Sequence, residues 1–362
     1  MDGEGGQYFA PVDGHFNQEG LYTGDPGGGG VYQDLEQAYE GQFAEFSPGG
    51  EYQNTNEFSP AGEYQNTNEF SPLSHVLGDG GVGISALAFD AQEELIWMGN
   101  QAGHVTSYYG TQLEKYTSFQ VSRGEGVRSI LTTERGILAL TQTSLRCQIR
   151  RGIPVFTHHS ANMLEMQCML RYPQRPTQLL MGGIQDKMIS FDLEKGKESQ
   201  LLDTGGSCAV LRYHGRYVGC GDTTGKIHLR DPHNLTIQHT LDTHSGTLSD
   251  FDMNGHHLVT CGFARQHGNL QAVDRFLMVY DLRILRSINP IQCLVEPCQL
   301  RFLPSDHTSK IVVMSAAGQV QLVDMADVDN AKLDLLQLET GGGMALSMDI
   351  SPSNHCMAFG DG

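Results

Sequence analysis

The chain has 362 residues, with 23 Lys and Arg against 42 Asp and Glu, a formal charge of −19. That length suits a single all-β ring or barrel, and the acidic balance excludes a binder that relies on net positive charge to hold phosphate. The first 20 residues are acidic and Gly-rich, with neither the basic nor the apolar region of a secretory signal, and no stretch approaches the ~18 apolar residues of a membrane span.

The charge is unevenly placed. Residues 1–72 hold 13 Asp or Glu and no Lys or Arg, and the first base is Lys115. The remaining residues carry 29 acids and 23 bases, only −6. The same 72 residues hold 14 Gly, 5 Pro and 12 aromatics but almost no Leu, Ile or Val. Such a composition cannot offset its own ordering entropy, so residues 1–75 are expected to be a disordered tail. Within it, GEYQNTNEFSP occurs at 50–60 and again at 62–72, a period of 12, and a partial copy, Glu45-Phe46-Ser47-Pro48, precedes both. One reading is replication slippage in an unconstrained linker. The other is a repeated docking motif. Glu-Phe-Ser-Pro resembles the end of the peptide motif that docks on the C-terminal domain of poly(A)-binding protein, with Glu45, Phe46, Pro48, Glu57, Phe58, Pro60, Glu69, Phe70 and Pro72 as contacts. The upstream Leu-Asn of that motif is absent here, and Tyr52 or Tyr64 stands in its place. A single Phe can fill an apolar pocket, and repetition raises the effective concentration.

From residue 76 onward the texture changes. Apolar runs of 4–7 residues alternate with Gly, Asp, Asn and Thr turns, as at 84–89, 95–98, 136–140, 178–181, 217–220, 258–261 and 310–314. These read as strands. Helical periodicity is scarce, and 337–346 has too much Gly for a good helix. A unit of strand, polar turn and strand recurs at 96–109, 179–192, 217–231 and 311–324. The small residue before the turn falls at Gly99, Thr141, Gly183, Gly221, Gly262, Ser315 and Gly360, with spacings of 42, 42, 38, 41, 53 and 45. The long spacing contains the polar segment 264–273, which reads as a loop. A period near 40–45 with about four strands is that of a WD-repeat blade. The lettering is degenerate: Asp192, Asp231, Asp281 and Asp324 follow Phe191, Arg230, Tyr280 and Val323, never Trp. The expectation is an all-β, seven-bladed WD40 propeller over 76–362. Its last blade is expected to be incomplete, because Ser74–Leu77 can supply one closing strand and residues 357–360 are followed only by Asp361 and Gly362. On that reading the chain is a fragment of a longer one.

Chemistry-bearing patterns are weak. Gly78, Gly80 and Gly83 satisfy G-x-G-x-x-G, but a strand follows where a dinucleotide loop needs a helix. Asp250 and Asp252 share one face of a strand. Without a third and fourth acid beside them, structural turn and cap bonding outweighs a metal role. His158-His159 and His256-His257 point to opposite sides of a strand, and Cys293 and Cys298 lack zinc-ligand companions. No catalytic or metal residue is therefore assigned. The eight Cys form no C-x-x-C pair and are expected as reduced, mostly buried thiols. Arg146, Arg150 and Arg151, and separately Arg283 and Arg286, are small basic clusters. Each is either a solvated face or a contact for RNA or a partner.

The segments SGTLSDFD (245–252), DRFLMVYDLR (274–283), GDTTGKIHLRD (221–231) and AFGDG (358–362) together resemble the N-terminal WD40 region of the catalytic subunit of the poly(A)-nuclease deadenylase. The resemblance spans about 82–362. It implies a scaffold module of a complex that shortens mRNA poly(A) tails, acting in the cytoplasm and processing bodies, with the nucleus as a further compartment. It implies as partners a pseudokinase regulatory subunit, poly(A)-binding protein and the poly(A) ribonucleoprotein. The family's nuclease is a Mg2+-dependent 3′-exoribonuclease. Its acidic residues have no counterpart in this sequence, so no cofactor is expected here and activity is expected only of a longer chain. The alternative is a WD40 interaction scaffold unrelated to RNA decay.

Overall fold

The computed structural model describes residues 6–11, 73–78, 81–172, 174–266, 270–304, 310–326 and 334–362. The described residues form strands and turns, with no helix among them. Two strands come first, β1 (Gly6–Pro11) and β2 (Ser74–Leu77). The first sheet is β3 (Ile84–Phe89), β4 (Leu95–Asn100), β5 (His104–Tyr109) and β6 (Glu114–Gln120). The second is β7 (Ser129–Thr133), β8 (Gly136–Leu140), β9 (Ser144–Gln148) and β10 (Pro154–His159). The third is β11 (Met166–Arg171), β12 (Gln178–Gly183), β13 (Lys187–Asp192) and β14 (Lys197–Asp203). The fourth is β15 (Val210–His214), β16 (Tyr217–Gly221), β17 (Lys226–Arg230) and β18 (Ile237–Asp242).

The fifth sheet holds β19 (Leu248–Asn254), β20 (His257–Arg265), β21 (Gln271–Val273), β22 (Phe276–Asp281), β23 (Arg286–Ser287) and β24 (Ile291–Gln292). The segment read as a loop extends β20 and pairs back through β21, Phe263 opposite Val273. The sixth sheet is β25 (Pro297–Phe302), β26 (Lys310–Ser315), β27 (Gln319–Asp324) and β28 (Asp334–Gln337). Last come β29 (Ala345–Ile350) and β30 (Cys356–Asp361).

Six sheets, then, are each built from one uninterrupted stretch of chain, and the remaining sheet is composite, in the order β2-β1-β30-β29. This corrects the expected incomplete last blade. β1, from a segment assigned to the disordered tail, pairs with β30 (Tyr8 opposite Phe359), and β2 pairs with β1 (Tyr8 opposite His75). The physical reason is edge satisfaction: an open β30 edge would leave a row of backbone groups unpaired. Residues 12–72, with all nine residues of the Glu-Phe-Ser-Pro repeats, lie outside the described residues.

The first strands of successive sheets, β3, β7, β11, β15, β19, β25 and β29, pack side by side, and β29 returns to β3. The ring is closed by Asp349, whose Oδ2 accepts the Phe89 N–H at 2.7 Å, and by Ser347, whose hydroxyl donates to the Ile84 carbonyl at 2.8 Å. Apolar side chains fill the gaps between neighbouring sheets. Trp97, Val105 and Ile137 lie between the first two, and Leu258, Phe251 and Leu229 between the fourth and fifth. The recurrent small residue has a packing cause. A Cβ on Gly99 would come within 2.6 Å of Val127, and one on Gly221 within 2.5 Å of Leu248. The Asp after the third strand has a turn cause. Asp192, Asp231, Asp281 and Asp324 accept N–H groups from their own turns, His233 N at 2.6 Å and Arg283 N at 2.8 Å among them.

The thiol expectation fails at one place. Cys208 and Cys220 are joined as a disulfide, because the β15–β16 hairpin folds the connecting segment back against the end of β16, with Cα atoms 5.4 Å apart. The other six Cys are free. Burial pushes the thiols of Cys168, Cys293 and Cys298 up to about 12, so they stay protonated.

Candidate interaction face

Each four-stranded meander puts its first and third turns at one end of the strands, and its second turn and outgoing connection at the other. Side chains tie neighbouring sheets together at both ends. At the first, Arg150 reaches Asp90, Tyr172 Oη donates to the His233 carbonyl at 3.1 Å, and Arg135 stands 3.7 Å from Glu194. At the second, Thr143 Oγ1 donates to Glu125 at 2.7 Å, and the Leu164 N–H donates to Gln185 Oε1 at 3.1 Å. The ring therefore has two faces, and over four of the sheets they differ in charge.

On the first face, the turns of the second to fifth sheets carry Arg135, Arg150, Arg151, Arg175, Lys195, Arg216 and Arg283 against Glu134, Glu194, Asp231 and, at the strand ends, Asp192 and Asp281. On the second face, the described turns and connections carry Arg123, Arg128 and Arg275 against Glu125, Glu165, Asp186, Asp222, Asp274, Glu296 and Glu339. The first face is thus basic over an arc of four sheets.

Not every arginine of that arc is available. Arg150 is engaged by Asp90: Nη2 to Oδ1 is 2.7 Å, Nε to Oδ2 is 2.8 Å, and Nη2 also donates to the Thr133 carbonyl. Trp97 Nε1 donates to the same Oδ2 at 3.0 Å. Burial pushes the Asp90 carboxyl up, but the bonds from Arg150, the Gln92 N–H and Trp97 more than offset it and hold the group below its ordinary value. Arg283 chelates Asp281 within its own turn, and the bond from Arg283 holds that carboxyl far below its ordinary value. Arg146 lies on β9, half-buried, and donates to the turned Gln148 amide at 3.1 Å. Arg151 and Arg286 are exposed, with no carboxylate partner among the described residues. So of the two clusters named from sequence, Arg150, Arg151, Arg283 and Arg286 share one face, on the second and fifth sheets, while Arg146 sits mid-strand.

The ring fills the space between them with two residues that sequence reading missed. Arg175 and Arg216 are exposed, on the third and fourth sheets. Each guanidinium lies over a tyrosine ring, Arg175 at 6.0 Å from the Tyr172 centroid and Arg216 at 5.4 Å from Tyr217. A stacked guanidinium keeps its N–H edge free for phosphate or carboxylate. The only signal in the sequence is an Arg within three residues of a Tyr at a short turn, and that is too common to single out.

The chain matches the family described as PAN2 N-terminal over residues 67–362. It belongs to that family. It is 39% identical over 283 residues to the chicken PAN2-PAN3 deadenylation complex catalytic subunit PAN2, covering 78% of this chain and 23% of the relative. The human protein of the same name is 38% identical over 291 residues, 80% of this chain and 24% of the relative. The Schizosaccharomyces pombe one is 32% identical over 278 residues, 77% and 25%. The chain thus spans about a quarter of the length of these relatives. Among solved structures, the Neurospora crassa Pan2 WD40 domain superposes with a TM-score of 0.67 at 24% identity, covering 77% of this chain and 89% of that one. That likeness establishes the WD40-propeller fold.

The remaining sequence candidates are structural. Asp250 and Asp252 do not cap a turn. They bind across the ring to its neighbours. Asp250 Oδ1 accepts from Arg212 of the fourth sheet at 2.8 Å, and Oδ2 accepts from Arg301 of the sixth. Asp252 Oδ2 accepts the Phe302 N–H at 2.9 Å. Asp349 of the composite sheet stands near both arginines; burial raises its carboxyl above the ordinary value, and its bond from the Phe89 N–H and the pull of Arg301 only partly counter this. His158 bonds Glu198 at 3.1 Å while His159 faces solvent, so the adjacent pair splits across the strand.

Proposed function

We propose that the chain is the N-terminal binding and scaffolding module of a deadenylation complex. The observation that carries this is the family match, which covers the first six sheets of the ring and the last two strands. The relatives are named as catalytic subunits of a PAN2-PAN3 complex. By analogy the partners are a PAN3-type pseudokinase subunit, poly(A)-binding protein and the poly(A) ribonucleoprotein, met in the cytoplasm and processing bodies. The basic arc, where Arg151, Arg175, Arg216 and Arg286 meet no carboxylate among the described residues, is the surface suited to a polyanion. Exposed guanidiniums bind phosphate at little desolvation cost. The Glu-Phe-Ser-Pro repeats are additional docking sites for poly(A)-binding protein. A Mg2+-dependent exonuclease step belongs to the longer relatives.

The test is retention by the immobilised 362-residue chain. A PAN3-type subunit and poly(A)-bound poly(A)-binding protein should both be held at physiological salt. Failure to hold either one points to an interaction scaffold unrelated to RNA decay. Incubation with 5′-labelled poly(A) and Mg2+ should leave the substrate at full length, and a shortening ladder would overturn the scaffold reading.

A further inference from the structure

Where the composite sheet meets the first sheet, the first face is not basic. A groove of about 530 Å3 opens there between the turn after β3, the end of β5 and the turn after β29. Its size is that of a ligand pocket. Leu95 and Tyr108 are buried among its lining residues, while Tyr109 is 43% and Leu73 42% exposed, so apolar surface is left open to solvent. Tyr109 Oη donates to Glu114 Oε2 at 2.5 Å, which fixes the ring at the rim. Glu93 and Glu94, both exposed, also line the groove, with no basic partner at hydrogen-bond distance among the described residues. The third carboxylate there, Asp90, is already satisfied by Arg150 and Trp97.

We infer that this groove docks a short peptide of another protein that presents an apolar or aromatic anchor beside Lys or Arg. The apolar lining would take the anchor and Glu93 and Glu94 the cations, a pairing of buried contact with rim charge usual in peptide recognition. Charge decides against the nearest rival. Leu73 follows directly on a stretch of 72 residues with 13 carboxylates and no Lys or Arg, and that acidic segment is repelled by an acidic rim. The groove borders the basic arc at the Arg150–Asp90 pair, and its occupancy does not depend on the deadenylation reading.

The experiment is fluorescence anisotropy with the full 362-residue chain and three labelled hexapeptides: Arg-Lys-Leu-Phe-Pro-Lys, its acidic counterpart Glu-Asp-Leu-Phe-Pro-Glu, and the chain's own Asn-Glu-Phe-Ser-Pro-Leu. The basic probe should bind at ~10–100 μM in low salt, weakly enough for a single anchor. Glu93→Lys with Glu94→Lys should weaken it about tenfold, and Tyr109→Ala about threefold, with melting temperatures unchanged. Equal or tighter binding of the acidic probe or the chain's own peptide would overturn the proposal. So would no binding of the basic probe, or binding that is indifferent to both variants while the fold is intact.

Discussion

Arginines at the inner wall of the ring and arginines on its first face do opposite work. Arg212 and Arg301 flank Asp250, both with about a quarter of the side chain accessible, and all three come from different sheets. Arg175 and Arg216 are exposed over buried tyrosines and meet no carboxylate among the described residues. Desolvation separates the two groups. A guanidinium that loses water must be compensated by nearby acceptors, here the Asp250 carboxylate, so the wall arginines are consumed in holding sheets together. An exposed one loses little hydration and keeps its charge for a ligand. Burial lowers the proton affinity of Arg212, and repulsion from Arg301 lowers it further; Asp250 and Asp252 pull the other way.

Removing Asp250 should break the wall hardest. Asp250→Ala leaves two partly buried guanidiniums facing each other and should cost about 3 kcal/mol in urea unfolding. Asp250→Asn should cost less, because it can still accept a bond. A loss below the scatter of surface variants would mean the wall arginines are solvated like those of the face.

Arg150 tests the border between the groups, since it rises from the face but is engaged by Asp90. Arg150→Ala should cost about 2 kcal/mol near neutral pH. The sign with pH follows from a carboxyl held below its ordinary value. Its contribution is present above the ordinary Asp value and is lost as pH falls through the lower folded value. The wild type should therefore lose this increment in acid, and the variant, which lacks it, should show a flatter acid limb.

Asp349 should behave in the reverse sense. Its carboxyl is raised, so stability falls as pH rises from the ordinary Asp value through the higher folded one. Asp349→Asn should remove that decline, while weakening the bond to the Phe89 N–H. A decline of unchanged slope would show that it arises from a group other than Asp349.

The face arginines should leave stability alone and change binding. Arg151→Ala with Arg216→Ala should leave unfolding midpoints unchanged. It should lower the slope of log affinity for poly(A) against log salt by about 1.4, roughly 0.7 for each phosphate that is no longer neutralised. An unaltered slope would remove the arc from the polyanion surface.

Strands and period were legible because blades repeat the same demands. Gly99 and Gly221 recur where a neighbouring sheet comes too close for a Cβ, and Asp192 and Asp231 recur where a turn needs an acceptor. The closing strand β1 was not legible. Gly6–Pro11 lies in an acidic, Gly-rich stretch, and it gains its partners, β30 and β2, only when the ring closes. Asp250 and Asp252 could be placed on one strand face, but not between Arg212 and Arg301, which lie 38 residues before and 51 after Asp250.

By itself the sequence determined the all-β ring, the spacing of its units, the family resemblance and the separation of an acidic tail from a nearly balanced body. Those properties are local or periodic, set by alternation, turn residues and composition. Only the tertiary structure decided which arginines are engaged and which are free, that arginines of four sheets share one face, and that the seam between first and last sheets is acidic. Charge acts through space, and closing the ring is what sets those distances.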